Sequence, residues 1–340
     1  MLTEPNQTTK KPDVLDVLTE TDMKSVPLVT SIKKGKAPNN ALFQWPVDAY
    51  DAPAVPAGVV DGVAISSSNY ENKAANRALI SNYIMRQWKV PTVAVIAGQV
   101  SDPYGVGKGK EYARSVAKST VELYRDMEYA LIGYQEARAD NGTVSYLTRG
   151  LEKWIQSGAQ AVLPVDSDFR TPAGSIKSAA DDVTAFTEDD INDVLQSIWS
   201  QTGRKGTYYV PCSGGFKRTV SGFMDTQTQS ATVLPVRRFT QDAASNKVEL
   251  HVDIYEGDFG TMEFDAHSFM DIDDAGADDQ RAYAFVLDRN LMEIRPQQMP
   301  KHKPLAYDGS GQRGEVSCIW GLCIKDPRGF GKFADSTAVS

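Results

Sequence analysis

The chain of 340 residues carries little of what redox, metal or membrane chemistry requires. It has three cysteines and three histidines. An odd number of thiols makes no disulfide framework, and Cys318 and Cys323, five apart in "VSCIWGLCI", face opposite ways if that segment is a strand. Reduced, buried, inert thiols are expected. His251, His267 and His302 lie far apart, none stands in an H-E-x-x-H pattern, and no cysteine pair has zinc spacing. Neither a metal nor another cofactor is expected. No apolar run approaches the roughly 18 residues of a spanning helix, and "MLTEPNQTTKKPDVLDVLTE" has neither the basic nor the apolar region of a signal peptide. The expectation is an unprocessed cytosolic chain with no membrane partner. Positive charge is also short: 36 lysines and arginines face 44 acids, a net charge of -8. That argues against a broad nucleic-acid face, because affinity for phosphate backbones comes from clustered Lys and Arg. Only local basic patches remain open to it.

Catalytic signatures are missing too. Gly107-Lys108 and Gly109-Lys110 resemble a phosphate loop, but Asp102 and Tyr104 stand where its first glycine belongs, and Gly109 and Glu111 follow the lysines instead of a hydroxyl. They read as a flexible entry to a helix. In "MDIDDAGADDQ", Asp271, Asp273, Asp274, Asp278 and Asp279 offer hard oxygen ligands, yet Ala282 occupies the bidentate glutamate position of a calcium loop. A solvated acidic loop is expected there. Ser213 in "CSGG" and Ser310 in "GSGQ" lack the G-x-S-x-G elbow that exposes a nucleophile. Two alternatives to a structural protein stay open: an enzyme with its active-site rim at the strand-turn-helix of residues 208–224, or a monomeric module binding carbohydrate or protein.

What the sequence does contain is a distinctive order of pieces, without an internal repeat. A polar arm of about 25 residues cannot bury a core of its own. "ALFQWPVDAY" and "LISNYIMRQWKVPTVAVIAG" read as two extended limbs, the second with Ile80, Ile84, Trp88 and Val90 on one face and Tyr83 and Met85 on the other. Between them, Asp51 to Asn76 is small, polar and broken by Pro and Gly, which suggests a projecting hairpin whose length needs a job outside the domain. Its aromatics Trp45, Tyr50, Tyr70 and Tyr83 are candidate subunit-interface anchors. A stripe including Ala113, Val116, Leu123, Met127, Ala130, Leu131 and Tyr134 predicts an amphipathic helix from Lys110 to Ala139, about 45 Å long, ended by Asp140-Asn141-Gly142.

A second helix is expected in "SYLTRGLEKWIQSG", with Leu147, Leu151, Trp154 and Ile155 on one side. A third should open at Thr187 and stop at Gly203, with Ile191, Val194, Leu195, Ile198 and Trp199 as its stripe. "TYYVPCSGGFKRTVSGFM" reads as a buried strand, a glycine turn and a short helix. Beyond it the pattern turns to strands: a hairpin in "KVELHVDIYEGDFGTMEF", then "AYAFVL", "LMEIR" and "EVSCIWGLCI".

The order of these pieces resembles the major capsid (major head) protein of tailed bacteriophages, an α+β fold of the Hong Kong 97 type. The matching stretches are "LTETDMKSVPLVTSIKKGKAPNNALFQWPVDAY", "GKGKEYARSVAKSTVELYRDMEYALI", "TRGLEKWI", "TYYVPCSGGFKRTVSGF", "GDFGTMEFDAHSFM" and "DRNLMEIRPQQMPKHKPLAYDGSGQRGEVSCIWGLCI". The resemblance implies an N-terminal arm with a first peripheral segment at 1–37, an extended loop at 38–97 and a peripheral domain with a spine helix at 98–141. An axial domain at 142–300 and a C-terminal return to the peripheral domain at 301–340 complete it. It further implies a non-enzyme that assembles with itself into pentamers and hexamers, in the host cytoplasm, as the icosahedral shell of a virion around double-stranded DNA held by weak non-specific contact. With Met1 directly before the arm, no fused scaffolding segment is expected, so that a separate scaffolding protein serves assembly. A portal, and room for a decoration protein, belong to the same expectation, and no covalent Lys-Asn cross-link is expected.

Overall fold

The computed structural model describes residues 26–50, 53, 55, 60–63, 77–93, 111–179, 183–223, 241–242, 247–248, 252–270, 282–306 and 312–335. The glycine-lysine stretch 104–110, the acidic residues 271–280, Tyr70, His251 and Ser310 lie outside them. The chain divides into two compact units: Met1–Val26, Gln87–Asp126 and Gln298–Cys318 make one, and Pro27–Arg86, Met127–Gln297 and Ile319–Ser340 the other.

In the first unit, Tyr112 near the start of the long helix donates to the Arg313 carbonyl at 3.2 Å and lies 2.7 Å from His302 Nε2. Gly314 leaves room for that phenol, since a Cβ there would stand 2.2 Å from its oxygen. Lys89 pairs with Asp126 at 3.1 Å.

In the second unit a six-stranded mixed sheet runs, in spatial order, Ile254–Gly257, Gly260–Ala266, Thr207–Cys212, Ala284–Val286, Gly331–Asp335, Ile176–Ala179. The first two form the expected hairpin, with Gly257 opposite Gly260. The chain's last described strand therefore sits inside this sheet, parallel to Ile176–Ala179. The helix Glu188–Thr202 buries Ile191, Val194, Leu195 and Ile198 in one core with Val210, Met262, Val286 and Phe333. Trp199 falls outside that core: it is 37% exposed and rests on Phe259, at the outer margin of the stripe.

Local sequence accounts for both ends of that helix. Thr187 and Asp190 form a reciprocal capping box, and Gly203 takes a left-handed φ of 65° that closes the C-terminus. Burial works against the Asp190 carboxylate, but Thr187 and Lys177 outweigh it and hold its pKa below the ordinary value. A depressed carboxyl adds stability above its unfolded pKa and loses it as pH falls through the folded one. Thr187→Ala should therefore cost about 1 kcal/mol in urea unfolding at neutral pH, and the gap from the parent should narrow on acidification below the carboxylate range.

The strand-turn-helix of residues 207–222 forms as expected, with one refinement. Gly214 and Gly215 open the helix Gly214–Gly222, while Ser213 caps it by accepting the Phe216 N–H at 3.3 Å.

Two expected helices are shorter. The long one runs Glu111–Ile132, not to Ala139. Gly133 bends away, Gln135 turns its side-chain amide back onto the Ala130 carbonyl, and Gly150 packs so close that a Cβ on it would be 1.8 Å from the Gly133 oxygen. Asp140-Asn141-Gly142, with Gly142 at a φ of 85°, instead closes a turn whose flanks Arg138 and Leu147 bridge. The helix expected over residues 145–158 shrinks to Leu151–Trp154, because the Leu147, Arg149 and Gly150 amides are already bonded to Arg138, Asn82 and Gln135. Along the second limb Ile80 and Ile84 are buried as expected, but Trp88 and Val90 are more than half exposed.

Several charged groups are buried with partners. The Glu128 carboxylate accepts the Leu28 and Val29 N–H groups, each at 2.7 Å, and lies 2.7 Å from His267 Nε2, so it pins the start of the helix Pro27–Ser31. Glu152 and Lys332, both buried, form an ion pair, and Glu152 also accepts the Ala282 N–H at 3.1 Å. Burial pushes the Glu152 pKa up, and Lys332 opposes the rise.

Cys212, Cys318 and Cys323 are free and buried, and burial pushes each thiol up to about 12. Groups that lose their proton more readily unfolded than folded destabilise the fold as pH climbs past the unfolded value. All three should resist iodoacetamide at pH 8 until denaturant is added, and stability should fall steadily above about pH 9. Among the described residues no helix is long and apolar enough to cross a membrane. Nor do three or more His, Cys, Asp or Glu of the described residues gather where they could hold a metal ion.

Candidate intersubunit surface

The two limbs pair antiparallel over seven residues each, Leu42–Asp48 against Arg77–Tyr83, from Leu42 opposite Tyr83 to Asp48 opposite Arg77. An isolated two-stranded ribbon is marginal in water. This one is fixed at one end. There, Phe43, Ile80 and Ile84 are buried, and Asn82 has no exposure. The Asn82 amide donates to Thr148 Oγ1 at 3.0 Å and to the Leu322 carbonyl at 2.9 Å. Its oxygen accepts the Tyr83 and Arg149 amides. A fully satisfied buried amide specifies register, because a one-residue slip would strand its donors and acceptor.

Arg149 extends this anchor. Its guanidinium, buried, meets Glu136 at 2.6 Å, donates to the Val162 and Leu163 carbonyls and lies 4.6 Å over the Trp154 ring. Burial lowers its pKa and Glu136 opposes the fall. Leu163, the one non-glycine residue with positive φ among those described (48°), is thus held in a costly conformation by a buried cation.

Away from the anchor the limbs lose their cover. Asp48, Arg77 and Leu79 are exposed, and beyond them stand Tyr50 (103% exposed), Val55 (96%), Val60 (75%) and Val63 (56%). Scattered apolar residues on a surface mean little, but four on one excursion, each more than half exposed, offer apolar area for a partner to bury.

The four aromatics expected at an interface therefore occupy different settings. Tyr50 is fully exposed. Trp45 is half-buried, stacks on Phe43 at 5.5 Å between ring centroids, approaches Trp154 at 5.8 Å and donates to the Ile324 carbonyl at 3.1 Å. Tyr83, also half-buried, leans on Tyr146 at 6.2 Å. Tyr70 lies outside the described residues. The exposed valines, Leu79 and the Asn82–Arg149 anchor were not singled out from sequence. Val55, Val60 and Val63 were detectable in principle, as the apolar residues of a stretch too polar to make a core.

In the strand-turn-helix of residues 207–222, Tyr209, Ser213 and Lys217 are engaged structurally. Tyr209 donates to Asp265 at 2.8 Å, and Lys217 meets Asp253 at 2.8 Å and the Val252 and Phe264 carbonyls. Ser213 serves as a cap.

This architecture is shared with solved phage and particle shells. A chain of Mycobacterium phage Bobi superimposes with a TM-score of 0.58 at 12% identity, covering 98% of both chains. The structure described as the capsid of an empty GTA particle computed with C5 symmetry gives 0.57 at 11%, over 98% of this chain and 97% of that one. The capsid structure of the Cyanophage P-SCSP1u gives 0.56 at 9%, over 97% and 93%. No curated protein matches the sequence. The fold is thus that of a viral shell protein, of the Hong Kong 97 type. Residues 2–337 match the model of the SU10 major capsid protein, and the chain belongs to that family. It is a structural protein of the virion, a major capsid protein that associates with itself.

Proposed function

We propose that the chain forms pentamers and hexamers that close into an icosahedral head around phage double-stranded DNA, in the host cytoplasm, with a separate scaffolding protein and a portal. The exposed group Tyr50, Val55, Val60 and Val63 beyond a rigidly anchored hairpin carries this reading. Apolar side chains left uncovered by one subunit gain burial from neighbours, and heterologous contacts that close by rotation make rings. In this reading residues 1–37 are the arm and first peripheral segment, and 38–97 the extended loop that lies over a neighbour. Residues 98–141 carry the spine helix in the peripheral domain. The axial domain is 142–300, and 301–340 return to the peripheral domain, although the strand Gly331–Asp335 pairs with Ile176–Ala179. A net charge of -8 suits an inner wall that contains DNA without gripping it. No catalysis is assigned.

The purified chain, with its scaffolding partner supplied, should elute from size exclusion as rings of five or six subunits or as shells of megadalton mass. A sole species at the 37.2 kDa of one subunit would overturn the proposal.

A further inference from the structure

The turn Asp140-Asn141-Gly142 holds the single Asn-Gly pair of the sequence. Residues 138–143 are exposed, and a Cβ on Gly142 would meet no atom within 4 Å, so the backbone nitrogen that follows Asn141 is open to approach.

The groups around the Asn141 side chain are arranged as an acyl-transfer reaction requires. The Gly142 N–H donates to Asp140 Oδ1 at 2.7 Å, within the reach of a general base. Asn141 Oδ1 accepts the Thr143 N–H at 3.1 Å and the Val144 N–H at 2.8 Å, two donors that polarise the side-chain carbonyl and would hold an oxyanion formed on it. Because both partners are donors, the oxygen faces them and the amide nitrogen does not. The turn is braced on either side: Arg138 and Leu147 exchange backbone hydrogen bonds at 3.0 Å, and the Asn141 N–H donates to the Val144 carbonyl at 3.2 Å. Base and donors are thus in place before any bond changes.

We infer that Asn141 is a site of self-modification, at which the Gly142 nitrogen closes onto the Asn141 side chain. The N–Cγ bond forms as the Gly142 proton passes to Asp140. The oxyanion rests on the Thr143 and Val144 amides until the Cγ–Nδ2 bond breaks and the proton returns to the departing ammonia. A cyclic succinimide remains, and water opens it at either carbonyl to give aspartate or isoaspartate, without oxidant or cofactor. Each event places a new negative charge on an exposed turn and is irreversible, so that modified turns record the age of the subunit. No second copy takes part, and the inference does not rest on the shell reading.

Full-length chain kept at neutral pH for several weeks tests it, sampled by tryptic mapping of residues 139–149 and by an isoaspartate-specific methyltransferase. The folded chain should exchange the Asn141 amide for solvent oxygen at least about tenfold faster than the same chain unfolded in guanidinium chloride, where the Asp140, Thr143 and Val144 contacts are gone. Asp140→Ala should bring the folded rate down to the unfolded one. A parent whose folded rate equals or falls below its unfolded rate overturns the inference, and so does an Asp140→Ala chain of unchanged melting temperature that keeps the parent's folded rate. Should Asp140→Ala disturb folding, the parent's two rates decide by themselves.

Discussion

Lys332→Met is expected to destabilise the subunit by about 3–5 kcal/mol, among the largest effects of any single surface-neutral change. The reason lies in what it leaves behind. Glu152 is fully buried and has Lys332 as its counter-charge, with the Ala282 amide as a further donor. Without Lys332 the carboxylate must either stay charged in an apolar surround or take up a proton, and burial already pushes its pKa upward. Lys332 also sits between the buried Phe330 and Phe333, in a strand whose first four residues are all buried, so no water can enter to compensate. Replacing both partners, Glu152→Leu with Lys332→Met, should recover most of the loss, because an apolar pair of similar volume needs no charge compensation. Urea titrations of the two single variants and the double variant measure this cycle. A single-variant cost below about 1 kcal/mol would mean that the pair is solvated in the folded subunit.

The second large effect concerns assembly, not folding. Changing Tyr50, Val55, Val60 and Val63 together to serine should abolish shell formation while leaving the isolated subunit's melting temperature within error. Tyr50 and Val55 are 103% and 96% exposed and Val60 and Val63 75% and 56%, so the lone subunit loses little packing, most of it at Val63. If a neighbour covers them, each is worth at least about 1.5 kcal/mol. Four such losses weaken a contact by about 6 kcal/mol, roughly 10⁴-fold. Subunits that still close into shells would show that this surface faces solvent in the particle.

The sequence made some of this legible. Period and caps located the helix from Thr187 to Gly203, and alternation with turn residues located the paired limbs and the hairpin at Gly257. Failures share one cause: partners distant in sequence decided the outcome. The long helix stops at Ile132 because Gly133 and Gly150 must touch, and helical periodicity through Tyr134 contains nothing about that contact. Residues 145–158 have a helical stripe, but their amides are claimed by Asn82, Gln135 and Arg138. Trp88 and Val90 lie on the correct alternating face without a neighbour among the described residues to bury them. Of the buried charges, Glu128 was the most readable. It stands three before Leu131 and four after Tyr124, within the apolar stripe, where an acid needs a buried partner. Its partners, Leu28, Val29 and His267, are about a hundred or more residues away. At the candidate surface the sequence pointed to an excursion that carries one fully exposed aromatic, Tyr50. It could not distinguish Tyr50 from Trp45, since only the folded chain brings Phe43, Trp154 and the Ile324 carbonyl to the indole.

Hydroxyl-radical footprinting of Tyr50, in free subunits and in purified particles, is the most direct measurement. The account predicts rapid labelling of the free subunit and at least tenfold protection in the particle, where another copy covers the ring. Equal labelling in both states would contradict it.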